Sequence, residues 1–218
     1  NYFKGSIVCY TNEIKEKLLH VSHQILEEKT ANLILIGEEA TIKADAEKYG
    51  VNIDGATIIN PETSDKLEEY VSTLYELRKA KGMTPEAARE ALLKDRTTFG
   101  VMVLKTGGAD GLVSGACHST ANTLRPALQI LRTAPGAKLV SGFFIMDVPN
   151  CEFGYNGTFA FADRGLNQDP DSESLAAIAN DTANTFRTLV GAEPKVAFLS
   201  HSTKGSAKHP LVDKVVNA

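Results

Sequence analysis

Chemistry-bearing residue types crowd into one stretch of this chain, Asp110-Gly-Leu-Val-Ser-Gly-Ala-Cys-His-Ser-Thr-Ala-Asn-Thr-Leu-Arg-Pro126. Gly111-Leu112-Val113 has the composition of a short buried strand, and Leu124, Leu128 and Leu131 repeat with helical spacing. Between them, Ser114 to Asn122 forms a loop from the carboxyl end of a strand to the start of a helix. Small residues there let the backbone come close to a ligand. The free N–H groups of a helix start favour an anion. Ser114, Ser119, Thr120 and Thr123 add hydroxyl donors, and Arg125 adds a planar fork suited to phosphate. A second stretch, Ser200-His-Ser-Thr-Lys-Gly-Ser-Ala-Lys208, repeats this logic with Ser202, Thr203, Lys204 and Gly205. Its lysines fit a solvated surface as well as an anion site. Together the two loops suggest two anion-lined edges facing one cleft.

Arg78 is the third feature. Leu67, Tyr70, Val71, Leu74 and Leu77 form an apolar stripe on a helix expected over residues 64–81. Arg78 falls within that stripe, four residues past Leu74 and seven past Val71. A guanidinium on a packed face needs a partner, because burying an unpaired charge is costly. An internal ion pair, a stem laid over core with its head in water, and a ligand phosphate all answer that need. The residues alone leave the three open.

The elements that must position these groups alternate between strand and helix. Ile7-Val8 reads as a first strand, and Asn12 as the cap of a helix running to about Glu28. Leu33-Ile-Leu-Ile36 is a continuous apolar run, as in a parallel strand covered on both faces. A helix over 39–49, a strand at Thr57-Ile-Ile59, and helices started by Thr84-Pro85 and Asp95 follow. Gly107 ends the last of these, and Pro126 implies that the next helix starts no earlier than about Asn122. Thr133-Ala-Pro-Gly136 is a marked turn and the expected domain boundary. Beyond it come a strand within Leu139–Met146, an Asn156-Gly157 turn and a strand at 158–162. A helix from Ser172 then turns Leu175, Ile178, Thr182, Phe186 and Leu189 inward, and a buried strand follows at Val196–Leu199. The alternation argues for a parallel α/β layer structure.

Composition narrows the function classes. The chain has 218 residues, a net charge of −4 and 43% hydrophobic residues, with no apolar run long enough to span a bilayer. This gives no general case for nucleic acid or a membrane surface. Cys9, Cys117 and Cys151 are scattered, without metal-ligand spacing, and fit a reducing cytoplasm. His20 and His23 lie one helical turn apart with no third ligand evident, so they read as surface histidines. No metal site is expected.

The run SGACHSTANTLRPALQI, followed by TAPGAKLVSGFFIMDVPNCEFG and LSHSTKGSAKH, resembles phosphotransacetylase, of the phosphate acetyl/butyryltransferase family, from about Ala31 onward. The resemblance implies an α/β protein of two three-layer αβα domains, 1–136 and 137–218, with mainly parallel sheets and a cleft between them. It implies acetyl transfer between coenzyme A and inorganic phosphate, with acetyl phosphate as the other product or substrate, in a cytoplasmic homodimer needing no metal or redox cofactor. Arg78 lies in Tyr-Glu-Leu-Arg78, matching a family segment whose arginine binds substrate. Arg125 and Arg78 are therefore expected in catalysis. Ser114, Ser119, Thr120, Thr123, Cys151, Ser202, Thr203, Lys204 and Gly205 are expected to bind substrate.

No histidine–carboxylate partnership is evident beside Cys117 or Cys151. Direct thiolate attack is therefore expected rather than an acetyl-cysteine, with His118 an ordinary loop residue. Phosphate butyryl transfer and a non-catalytic phosphate- or coenzyme-A-binding module are the alternatives. Two departures from the family pattern stand out. The segment Cys9–Glu16 lacks the family's proline and arginine. The family's further strands, with an arginine and a thiol-deprotonating aspartate, have no counterpart after Lys208. The second domain is therefore expected to be incomplete, and this stretch to have little acetyl-transfer activity alone.

Overall fold

The computed structural model describes residues 6–9, 15–115 and 118–218. The expected cap at Asn12, and Ala116 and Cys117 in the first loop, lie outside these residues. The chain divides into two compact units, residues 1–132 and 133–218, separating where the Thr133–Gly136 turn begins.

In the first unit β1 (Ser6–Cys9), β2 (Asn32–Ile36), β3 (Thr57–Ile59) and β4 (Gly111–Val113) form one sheet in the order β3-β2-β1-β4. Every pairing is parallel. The apolar run Leu33–Ile36 explains its centre, because alternate residues of a strand serve opposite faces. Leu33 and Leu35 join Leu19 of α1 (Lys15–Glu28) and Ile42 and Ala46 of α2 (Glu39–Lys48). Ile34 and Ile36 join the larger cluster on the other face, with Tyr70 and Leu74 of α3 (Leu67–Arg78), Leu92 of α4 (Pro85–Lys94), and Phe99 and Met102 of α5 (Arg96–Lys105). Tyr70 meets Phe99 edge to face, with ring centroids 5.3 Å apart. The unit is thus a layer of helices on each side of a parallel sheet, as the sequence implies.

Several boundaries follow from local chemistry. Thr84 caps α4 by accepting from the Ala87 N–H, with Pro85 in the first helical position. Asp95 caps α5 by accepting from the N–H groups of Thr97 and Thr98. Residues 97–103 of α5 are all buried, as expected of a helix enclosed by its neighbours. Gly107, at φ 79°, ends it, with its N–H on Leu104 O and the Gly108 N–H on Val103 O. The expected helix over 64–81 is α3 followed by a single 3₁₀ turn over Lys79–Lys81. Helix α6 (Thr120–Ile130) begins two residues before Asn122, so Pro126 lies inside it, in the second turn. That position sacrifices only the hydrogen bond from residue 126 to the Asn122 carbonyl, and Asn122 is exposed to water.

The second unit is organised differently from the parallel sheet expected there. Strands β5 (Phe143–Asp147) and β6 (Thr158–Ala162) pair antiparallel, with Phe144 opposite Phe161 and Met146 opposite Phe159. Asn156 and Gly157 take positive φ values of 51° and 89°. They make the two-residue hairpin turn that Asn-Gly favours, closed by mutual hydrogen bonds between Tyr155 and Thr158. Helix α7 (Ser172–Val190) is capped by Asp171 and stopped by Gly191 at φ 74°. Ile178 and Phe186 are buried on it, but Leu189, expected inward, is 62% exposed. The expected strand at Val196–Leu199 is not formed, and Leu199 is 85% exposed. A strand needs a neighbour for its backbone groups, and no described segment pairs with 196–199. Helix α8 (Pro210–Val216) closes the unit, with Val212 buried.

Two residues of this unit yield tests. A Cβ on Gly157 would lie 2.4 Å from the Val148 carbonyl oxygen, at a φ that side chains avoid. Gly157→Ala is expected to destabilise the protein by about 1–3 kcal/mol, read as a lower denaturation midpoint. Burial pushes the Asp163 carboxyl up. The Asn167 amide and the N–H groups of Leu166, Gly165 and Gly142 outweigh that and hold it below its ordinary value. Its stabilising contribution is present above the unfolded pKa, about 3.9, and lost as pH falls through the folded one. Asp163→Asn should lower the thermal midpoint at pH 7 and flatten its decline between pH 5 and 2.

Candidate functional site

The order of the sheet decides where a ligand has room. The chain steps from β1 to β2 to β3 in one direction, then returns to place β4 on the far side of β1. Right-handed crossovers therefore put α1 and α2 on one face and α3–α5 on the other, as the two apolar clusters record. The reversal falls between β1 and β4, and open α/β sheets bind ligands outside the carboxyl ends of their strands at such a point. β4 runs directly into Ser114 and onward to α6.

That loop is built closely. Ser119 caps α6, its Oγ accepting from the Asn122 N–H at 3.2 Å, so its own hydroxyl proton is left to donate elsewhere. The Thr123 N–H donates to the Ser119 carbonyl. The N–H groups of Thr120 and Ala121 therefore precede the first N–H that donates within the helix, and no described residue accepts from them. The Thr123 hydroxyl also donates to the Ser119 carbonyl, at 3.2 Å, which commits its proton to the helix. Gly115 takes φ 111°, and a Cβ there would lie 3.2 Å from Thr123 Oγ1. Only glycine allows this turn and this approach together. Ser114 is half-buried, with its Oγ 2.9 Å from the hydroxyl of Thr97. The Thr120 and His118 side chains are exposed.

The two arginines stand on neighbouring helices of the same unit. Arg125 is exposed in the second turn of α6 and makes no ion pair among the described residues. Arg78 is the last residue of α3, which packs against α6. Arg78 is half-buried, and its Nε is shielded from solvent without a hydrogen-bond partner. An internal carboxylate is therefore not its partner among the described residues. A half-buried donor with no acceptor is the kind of group a ligand oxygen satisfies.

The remaining expected residues belong to the second unit. Cys151 is a free thiol, half-buried, with Sγ 4.0 Å from the Phe153 carbonyl. In the 200–208 loop, Ser202 Oγ accepts from the Ala207 N–H at 3.1 Å, and Ser206 Oγ from the Thr203 N–H at 3.0 Å. Ser200 Oγ accepts from the Ser202 N–H at 3.2 Å. The serines brace the loop from within while keeping their own protons free to donate. Lys204 and Gly205 take positive φ values of 46° and 82° at its tip, and the Lys204 side chain is exposed. Among the described residues no cluster has the makings of a metal site, and His20 instead meets the Glu16 carbonyl at 2.8 Å. No helix is long and apolar enough to cross a membrane.

Thr97 was not legible as part of the site. It stands 17 residues before Ser114, and only the capping residue Asp95 marked its helix start.

The fold places the protein among α/β layer proteins with a capped helix start at the switch point of a parallel sheet. More narrowly, the chain belongs to the phosphate acetyl/butaryl transferase family, whose model matches residues 7–218. It is 55% identical to a phosphate acetyltransferase of Thermoanaerobacterium thermosaccharolyticum, over 93% of this chain and 61% of that protein. It is 53% identical to one of Acetivibrio thermocellus, over 93% of this chain and 60% of that protein. The fold superposes on a phosphotransacetylase of Streptococcus pyogenes with a TM-score of 0.87 and 38% identity, covering 98% of this chain and 63% of that one. A phosphotransacetylase of Staphylococcus aureus gives a TM-score of 0.84 at 38% identity, covering 98% of this chain and 62% of that one. The chain thus spans about three-fifths of the length of these relatives.

Arg78→Met keeps the apolar stem and removes the unsatisfied Nε. An unpaired buried donor costs about 1–3 kcal/mol, so thermal stability should hold or rise. A fall of more than about 1 kcal/mol on denaturant titration would show that the guanidinium serves the core.

Proposed function

We propose that this chain carries the phosphate-binding part of an enzyme that moves an acetyl group between coenzyme A and inorganic phosphate. The observation that carries the reading is the Ser114–Arg125 loop. A capped helix start lies at the sheet's switch point, with Arg125 on that helix and Arg78 on the helix packed against it, and no carboxylate neutralises either guanidinium among the described residues. The relatives' names supply the reaction. The acyl group is read as acetyl rather than butyryl, because the relatives named above are acetyltransferases.

In the direction of acetyl-CoA synthesis, the coenzyme's thiolate attacks the carbonyl carbon of acetyl phosphate. A carbon–sulfur bond forms, the carbon–oxygen bond to phosphate breaks, and phosphate leaves with the electron pair. Arg125, Arg78, the hydroxyls of Ser114, Ser119 and Thr120, and the α6 N–H groups hold the dianion and stabilise charge on the leaving oxygen. Thr123 shapes the loop through Gly115 and Ser119. Cys151, Ser202, Thr203, Lys204 and Gly205 are assigned to coenzyme A, with Lys204 meeting its phosphates as a point charge. The thiolate needs no enzyme-bound acyl intermediate, so Cys151 is not the nucleophile. No residue of this stretch is assigned to deprotonate the thiol. The reading includes a cytoplasmic homodimer without a resident cofactor, carried by the family resemblance alone.

Inorganic phosphate titrated into the chain, followed by calorimetry, tests the reading directly. A charge-assisted hydrogen bond contributes about 1.5–3 kcal/mol, so Arg125→Ala should weaken phosphate binding about ten- to hundredfold. In any acetyl-transfer assay the same variant should raise the apparent KM for phosphate and lower turnover. Unchanged affinity would remove Arg125 from the site, and a wild-type chain with no affinity for phosphate would overturn the reading.

A further inference from the structure

Behind Ser114 lies a hydroxyl that the substrate-facing residues do not include. Thr97 is in the first turn of α5 and only 4% exposed. That turn is fixed from below by Asp95. Its Oδ1 accepts from the Thr97 N–H at 3.0 Å, while Oδ2 accepts from the Thr98 N–H at 3.2 Å and the Thr98 hydroxyl at 2.5 Å. Thr97 Oγ1 is thereby presented to Ser114 Oγ at 2.9 Å.

Distance alone does not say which hydroxyl donates, but the surroundings do. Thr97 has no other side-chain partner among the described residues, and its burial denies it water. If Ser114 donated to Thr97, the Thr97 proton would be left buried and unbonded, which is the costly arrangement. Ser114 is half-exposed and can donate outward. The low-energy arrangement has Thr97 donating and Ser114 accepting, with the Ser114 proton directed to the loop side.

We infer that Thr97 is a positioning residue of the anion loop: it fixes Ser114 Oγ from behind and turns the Ser114 O–H toward a bound phosphate oxygen. The inference rests on the phosphate reading given above. Its chemistry is a two-step hydrogen-bond chain, Thr97 to Ser114 to oxyanion, in which no covalent bond changes. A preset hydroxyl avoids the rotational entropy that a free one would lose on binding.

The test titrates inorganic phosphate into the chain and into Thr97→Val, Thr97→Ser, Ser114→Ala and the Thr97→Val/Ser114→Ala double variant, with a thermal midpoint measured for each. Thr97→Val should weaken binding about two- to tenfold, the range of a neutral hydrogen bond, and Thr97→Ser should restore it to within about twofold. In the Ser114→Ala background Thr97→Val should have no further effect on affinity, whatever it does to stability. Wild-type affinity in Thr97→Val, or additive losses in the double variant, would overturn the inference. If Thr97→Val does not fold, Thr97→Ser against Thr97→Ala supplies the same comparison. Unchanged affinity in Ser114→Ala would instead strike at the phosphate loop itself, and so separates failure of the parent reading from failure of this one.

Discussion

A parallel strand cannot return directly to its neighbour; it needs a crossover, and right-handed crossovers assign each connection to a definite face. The rest of the first unit follows from that constraint. Two successive crossovers carry the chain to β3, and the third, longer one through α3, α4 and α5 brings it back beside β1. Among the described residues no strand pairs with the outer side of β4. The loop that leaves β4 leads there to the start of α6, where Ser119, Thr120 and Arg125 are exposed to solvent.

Charge and burial then determine what that junction offers a ligand. A capped helix start offers directed N–H groups and a partial positive charge, and Arg125 adds a full one. Arg78 is different in kind. Its place on the apolar face of α3 buries Nε without an acceptor, a cost that a folded protein tolerates at a functional site. Several acidic residues elsewhere pair within their own helix: Glu39 with Lys43, Glu69 with Lys66, and Glu76 with Lys79. Such exposed pairs contribute little to stability.

Much of the first unit was legible before any coordinates. The two-faced strand Leu33–Ile36, the caps Thr84 and Asp95, and the Gly107 stop are local signals whose physics is complete within a few residues. The loop at Ser114–Arg125 was legible as a hydroxyl-rich passage from a strand end to a helix start, and the stripe position of Arg78 marked it as unusual. What escaped the sequence depended on distant partners. Val196–Leu199 has the composition of a buried strand, but composition cannot supply the neighbour a strand must pair with. Leu189 follows the α7 periodicity, yet burial of its face stops one turn earlier, at Phe186. The link between Thr97 and Ser114 joins residues 17 apart through tertiary packing, and no spacing rule announces it.

Helix α5 has no solvent face over residues 97–103, and its first turn backs the loop while its middle fills the larger apolar cluster. One element therefore serves both as hub of the interior and as back wall of the recognition surface. Because the two sets of residues share one buried helix, a substitution that shifts its backbone disturbs both. Exposed positions such as Thr120 and Arg125 are free of that coupling, and a change in chemistry there leaves the layers behind intact.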